Sequence, residues 1–249
     1  NGIIAQLSSI MWILLHPVYI IRRIIKINRF KRKPLYSIIK KMYKQLPPKS
    51  VLTHYPPVDI NSDPSYTCGA NYHNNFHIIS SATIISPINK PIITPYFSAG
   101  LFFANAKFLY DVPYDPYSPY LFQGEEVLMA TRLYTNGWDM YNLTEAIATH
   151  NYERKDKPKF WSDNAHKDWH SIQNESNKRY YHMIGQEIDA MPEFLYKSNK
   201  YGMGNKRTLK QYFDFANLNI LGFHSYVSFS SIITDYHKKI PFINENIIR

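Results

Sequence analysis

Residues 96–141 alternate apolar β-type runs with a single capped helix, and this alternation restricts the fold more than any other feature of the chain. Residues 96–104 (YFSAGLFFA) are expected as a strand and residues 107–110 as a helical turn. Residues 111–119 (DVPYDPYSP) form a loop whose prolines fix the backbone. Gly124 then precedes residues 125–135 (EEVLMATRLYT), where Leu128, Ala130 or Thr131, and Leu133 fall on one side of a helix. Two carboxylates in its first turn suit the helix dipole, and Asn136-Gly137 supplies the stop. Short strands are expected at residues 138–141 and 146–150. Strands interleaved with helices favour an α/β sheet.

The rest of the chain fits that frame. Residues 36–46 (YSIIKKMYKQL) place Ile38, Ile39, Met42, Tyr43 and Leu46 at helical spacing, and Pro47-Pro48 ends the helix. Residues 50–54 (SVLTH) form a short strand, residues 59–75 a long irregular connection, and residues 77–86 (HIISSATIIS) another strand. From Asp163 onward the sequence is helical and polar. With 249 residues and 45% hydrophobic content the chain can bury one large core or two small ones.

Charge is divided unevenly. Residues 1–58 carry eleven Lys or Arg and no Asp or Glu, while the other 191 residues hold 18 basic and 19 acidic side chains. The basic character therefore belongs to an N-terminal arm, and the body is neutral. Within residues 1–33, an uncharged stretch of 19 residues from Ile3 (IIAQLSSIMWILLHPVYII) runs into the basic cluster that starts at Arg22. Nineteen residues are just enough to cross a bilayer. Three readings stay open: a membrane anchor or interfacial helix whose Lys and Arg meet anionic headgroups, a packed helix kinked at Pro17, or an irrelevant upstream segment. Residues 34–249 would form the folded domain, in a protein expected in the cytoplasm, free or associated with a membrane. The arm lacks interleaved aromatics, which weighs against nucleic acid.

Among chemical candidates, the single cysteine, Cys68, excludes an intrachain disulfide and a zinc site built on two thiolates. No phosphate-binding loop, dinucleotide fingerprint or G-x-S-x-G elbow occurs. Adjacent helical residues point about 100° apart, so one of Glu125 and Glu126 can face a pocket while the other caps or pairs. The bland reading is a solvated first-turn pair. His150 at a strand end suits metal ligation or a simple hydrogen bond. His166-x-Asp168-x-His170 reads as part of a solvated helix.

Taken in order, the pieces between Phe97 and Arg154 resemble the glycosyltransferase family typified by the Skp1-hydroxyproline N-acetylglucosaminyltransferases. The matching residues are Ser98-Ala99-Gly100, Val112-Pro113-Tyr114-Asp115-Pro116, Leu121-Phe122-Gln123-Gly124-Glu125-Glu126, Arg132 through Asp139, and His150-Asn151-Tyr152-x-Arg154. Weaker similarity extends upstream to residues 51–57, including Tyr55, and downstream to residues 201–209. The resemblance implies a GT-A-like mixed α/β sheet flanked by helices. It also implies a UDP-sugar donor such as UDP-N-acetylglucosamine, a divalent metal (Mn²⁺ or Mg²⁺), and retaining transfer to a protein or glycan hydroxyl such as hydroxyproline. Carried over, Glu125 and Glu126 are the catalytic acidic pair, and His150 is the metal ligand. Ser98, Ala99, Gly100, Asp115, Arg132 and Tyr55 are expected to bind substrate.

The family pattern also places an acidic D-x-D or D-x-H metal motif ahead of the helix at residues 36–46. This sequence has no acidic residue before Asp59, and the D-x-H at Asp168-Trp169-His170 follows His150. The expected fold is therefore incomplete at its N-terminal nucleotide-binding half. The alternative function is a noncatalytic membrane-peripheral protein that uses a degenerate GT-A scaffold and the basic arm.

Overall fold

The computed structural model describes residues 35–59, 63–73, 77–84, 88–153, 160–163, 168–186 and 200–218. The arm, Arg154 and His166 lie outside the described residues. The chain divides into two compact units, Asn1–Gln45 and Leu46–Arg249. Of the first, the structure describes helix α1 (Leu35–Tyr43), where Ile39 and Met42 are buried and the Lys40 ammonium lies over the Tyr36 ring.

The second unit is a mixed α/β structure built on a four-stranded sheet. Strand β1 (Ser50–His54) is buried along its whole length, as a strand inside a covered sheet must be. It pairs in parallel with β6 (Asp139–Asn142) and antiparallel with β5 (Leu101–Ala104). Strand β4 (Ile92–Thr94) closes the far side against β6, giving the order β4-β6-β1-β5. A separate hairpin joins β2 (Ser65–His73) to β3 (His77–Ile84), with an irregularity between Thr67 and Gly69. Short α2 (Phe108–Asp111) leads into the proline loop. Helix α3 (Glu125–Thr135) is buried from Val127 to Thr135 and packs on β3, β6 and α6 (Leu209–Ala216). Short α4 (Phe160–Asp163) and the longer α5 (Trp169–Met183) complete the set of described elements.

Several expectations need correction. Residues 59–75 were expected to be irregular, but Ser65–His73 is a nine-residue strand: Tyr66, Cys68, Ala70 and Tyr72 alternate with polar residues and Gly69, and β3 completes its ladder. Residues 146–150 form no strand, so His150 lies on an irregular segment held by its own N–H donating to the Pro57 carbonyl at 3.0 Å. Residues 96–98 are not extended into the ladder either, and β5 starts only at Leu101 after the turn at Ala99-Gly100. Strand β4, three residues between Pro91 and Pro95, gave no apolar run long enough to read.

One local choice positions the site. Gly124 is the N-cap of α3 at φ +84, a left-handed conformation that favours glycine. A Cβ there would also sit 2.7 Å from the Tyr180 ring. Glycine thus lets the chain turn sharply beneath α5 and present Glu125 and Glu126 at the start of the buried helix.

Candidate functional site

The first turn of α3 faces the loop between Phe97 and β5. The Ala99 N–H donates to Glu126 Oε1 at 2.8 Å, a contact that joins the acidic pair to the Ala99-Gly100 turn. Gly100 in turn lies close to the loop after β1: a Cβ added there would be 3.3 Å from Pro56 Cδ. Tyr55 of that loop stacks parallel to Tyr152 at 6.1 Å between centroids, and Tyr152 lies 4.3 Å from the His150 ring. The Tyr152 hydroxyl donates to the Pro56 carbonyl at 2.7 Å. With the His150–Pro57 bond, this fastens residues 150–152 to the loop at two points. Tyr55, Ala99, Gly100, Glu125, Glu126 and His150 are thus linked through a continuous set of contacts and electrostatic couplings.

The electrostatics set the pair apart from an ordinary solvated helix start. Glu125 keeps accessible surface, yet its carboxyl is pushed up from 4.5 to about 8, first by loss of surrounding water and then by the Glu126 charge. Both conditions hold where the side chain is open on one side while neighbouring protein displaces part of the water that would stabilise its charge. Glu126 is pushed up to about 7 by the same desolvation, partly offset by the Ala99 hydrogen bond. Burial, then Glu126 and Glu125, raise the Tyr55 hydroxyl. Burial, then Tyr55 and Glu126, push Tyr152 up to about 12, and burial and Glu125 raise Tyr114.

A carboxyl whose pKa is raised on folding makes the folded state bind protons more tightly than the unfolded chain, so stability falls as pH rises through that window. Among the described residues the hydroxyls of Tyr55, Tyr114 and Tyr152 interact electrostatically with the pair, and none of the three carries positive charge. Stability should therefore decline between pH 4.5 and about 8. Glu125→Gln should flatten that part of the profile and raise the melting temperature at pH 8.5, as measured by thermal unfolding across the pH range.

Three of the residues expected to bind substrate lie elsewhere. Ser98 is fully buried beneath the turn: its N–H donates to Thr53 Oγ1 at 2.7 Å, and its hydroxyl is 2.5 Å from Thr67 Oγ1. Asp115 and Arg132 belong to a buried ion cluster. Asp115 accepts from Arg179 Nε at 2.6 Å, and Arg132 donates through Nη2 to the Pro113 carbonyl at 2.7 Å. These contacts tie down the loop that carries Tyr114. Sequence reasoning missed Arg179 and Tyr152 as contributors. Tyr152 was visible inside the matched His150-Asn151-Tyr152 run, whereas Arg179 gave no signal, its partner being 64 positions away.

The downstream motif at residues 201–207 is also structural. Gly204 N–H and Lys206 N–H donate to Thr135 at the end of α3, and Arg207 pairs with Asp139 at 2.7 Å in a buried contact.

A divalent ion of the kind the resemblance implies prefers several oxygen ligands with a carboxylate among them. Among the described residues no three His, Cys, Asp or Glu side chains are grouped to hold a metal ion. The donor set among the described residues does not fit such an ion. Among the described residues no helix is long and apolar enough to cross a membrane.

Residues 26–221, well over half of the chain, match the family model described as Glycosyltransferase (GlcNAc). No curated protein and no solved structure matches the chain.

Proposed function

The chain belongs to the GlcNAc glycosyltransferase family, and from that premise we propose that the recess at the start of α3 transfers N-acetylglucosamine from a UDP-sugar to a hydroxyl acceptor. The observation that carries this reading is the desolvated pair Glu125 and Glu126, reached from one side by the Ala99-Gly100 turn and from the other by Tyr55, Tyr152 and His150. Glycosyl transfer passes through a sugar ring that carries positive charge, and a carboxylate held in a water-poor site stabilises that charge strongly. In a retaining reaction the bond from the sugar C1 to the diphosphate oxygen breaks and the bond from C1 to the acceptor oxygen forms on the same face. The acceptor proton passes to the departing phosphate oxygen, so neither glutamate needs to act as base.

The ionisation that weakens the fold is thus the one the chemistry uses. Exposed Glu125 is the better placed of the two to meet a bound sugar, and half-buried Tyr55 offers a phenolic edge beside it. The acceptor class we propose is a protein or glycan hydroxyl, hydroxyproline among them, met in the cytoplasm. Release of UDP from UDP-N-acetylglucosamine, measured with Mn²⁺ and with chelator, tests the proposal: turnover supports it, and no turnover under either condition opposes it. The noncatalytic membrane-peripheral alternative rests on residues 1–33, and nothing among the described residues favours it.

A further inference from the structure

Glu125 and Glu126 are neighbours in sequence but are held differently. Glu126 Oε1 is tied to the Ala99 N–H at 2.8 Å, whereas the Glu125 carboxylate makes no hydrogen bond or ion pair among the described residues. The turn that Glu126 reaches is already fixed from below. Ser98, fully buried, is braced on Thr53 and Thr67, and the Ala99 N–H is the next peptide group, where the chain emerges at the exposed turn. Beyond it, Gly100 lies beside the Tyr55 loop, where an added Cβ would be 3.3 Å from Pro56 Cδ.

We infer that the pair divides the work: Glu126 is a positioning residue that fixes the Ala99-Gly100 turn through its backbone N–H, and Glu125 is the carboxylate that meets the bound sugar. This rests on the glycosyl-transfer reading of the site. The two roles make different chemical demands. Holding a peptide N–H needs only an acceptor oxygen, which glutamine retains in its side-chain carbonyl. Stabilising a cationic ring needs a charge, which glutamine lacks.

The test combines amide exchange at Ala99 with turnover of UDP-N-acetylglucosamine, using the full-length protein. Glu126→Gln should keep Ala99 protected and lower turnover far less than Glu125→Gln does. Glu126→Ala should speed Ala99 exchange by about tenfold or more, as expected for loss of a hydrogen bond to a charged group. It should also raise KM for the donor more than it lowers kcat. Should Glu126→Ala fail to fold, Glu126→Asp shortens the side chain by one methylene and should give the same exchange result. Glu125→Gln should leave Ala99 exchange unchanged and lower kcat by about a hundredfold.

Unchanged Ala99 exchange in the alanine and aspartate variants would overturn the role of Glu126. A turnover loss in Glu126→Gln equal to that in Glu125→Gln, with Ala99 still protected, would overturn the division of labour. Absence of turnover in wild type would remove the assignment of Glu125 together with the glycosyl-transfer reading, and the exchange data would still decide Glu126.

Discussion

Asp115→Ala is expected to destabilise the protein by about 3–5 kcal/mol, the cost of removing one partner from a buried ion pair and leaving the other charge uncompensated. The Asp115 and Arg179 side chains are 4% and 2% exposed. The carboxylate also accepts the Tyr117 N–H at 2.9 Å and the Ser118 hydroxyl at 3.3 Å. It is the counter-charge for a second guanidinium as well: Arg132 is lowered to about 10 by burial, supported by Asp115 and opposed by Arg179. Without Asp115 two buried arginines would face each other with no anion between them. Urea unfolding at neutral pH measures the effect. A loss below about 1 kcal/mol, the range of an exposed ion pair, would show that solvent already reaches the cluster.

Gly124→Ala should cost a similar amount, about 2–4 kcal/mol, from two sources. A non-glycine residue in the left-handed region pays about 1–2 kcal/mol, and the new Cβ would fall 2.7 Å from Tyr180 Cε2. Tyr180 has little freedom to yield. It is fully buried, stacks on His77 at 5.3 Å, and its hydroxyl accepts the Ile78 N–H at 3.0 Å. Relief must come from moving the start of α3, and with it Glu125 and Glu126, so donor affinity should fall along with stability. Chemical denaturation and donor titration of the same variant check both effects. A near-neutral outcome would mean that Tyr180 repacks freely.

How far the sequence could be read depended on where each element draws its stability. Helix α3 was legible to the residue because its start, apolar stripe and stop are all local: Gly124 before it, Leu128 and Leu133 within it, Asn136-Gly137 after it. Strand β1 was equally clear, being short and bounded by prolines on both sides. Strand β2 was missed although Tyr66, Cys68, Ala70 and Tyr72 alternate with polar residues and Gly69, a period-two signal set among the polar residues that flank it and completed only by the ladder with β3. The converse holds at residues 146–150, whose strand-like composition has no ladder partner and stays irregular.

The candidate site divides in the same way. Glu125, Glu126, Gly100 and His150 came from ordered motifs in one segment. The bond from Ala99 to Glu126 and the pairing of Arg179 with Asp115 span 27 and 64 positions, and no spacing rule reaches across them. The buried positions of Ser98, Asp115 and Arg132 follow from those long-range partners. A polar residue in a motif carries no mark in sequence of whether it faces a ligand or a buried neighbour.

The central claim is that the water-poor carboxylate at the start of α3 does the chemistry of sugar transfer. The most direct measurement is UDP release from UDP-N-acetylglucosamine by the full-length protein and its Glu125→Gln variant, with donor Kd determined on the same samples. The account predicts that turnover falls by about a hundredfold while Kd changes by less than about threefold, because the charge is needed chiefly in the transition state. Equal turnover in the two proteins would contradict it.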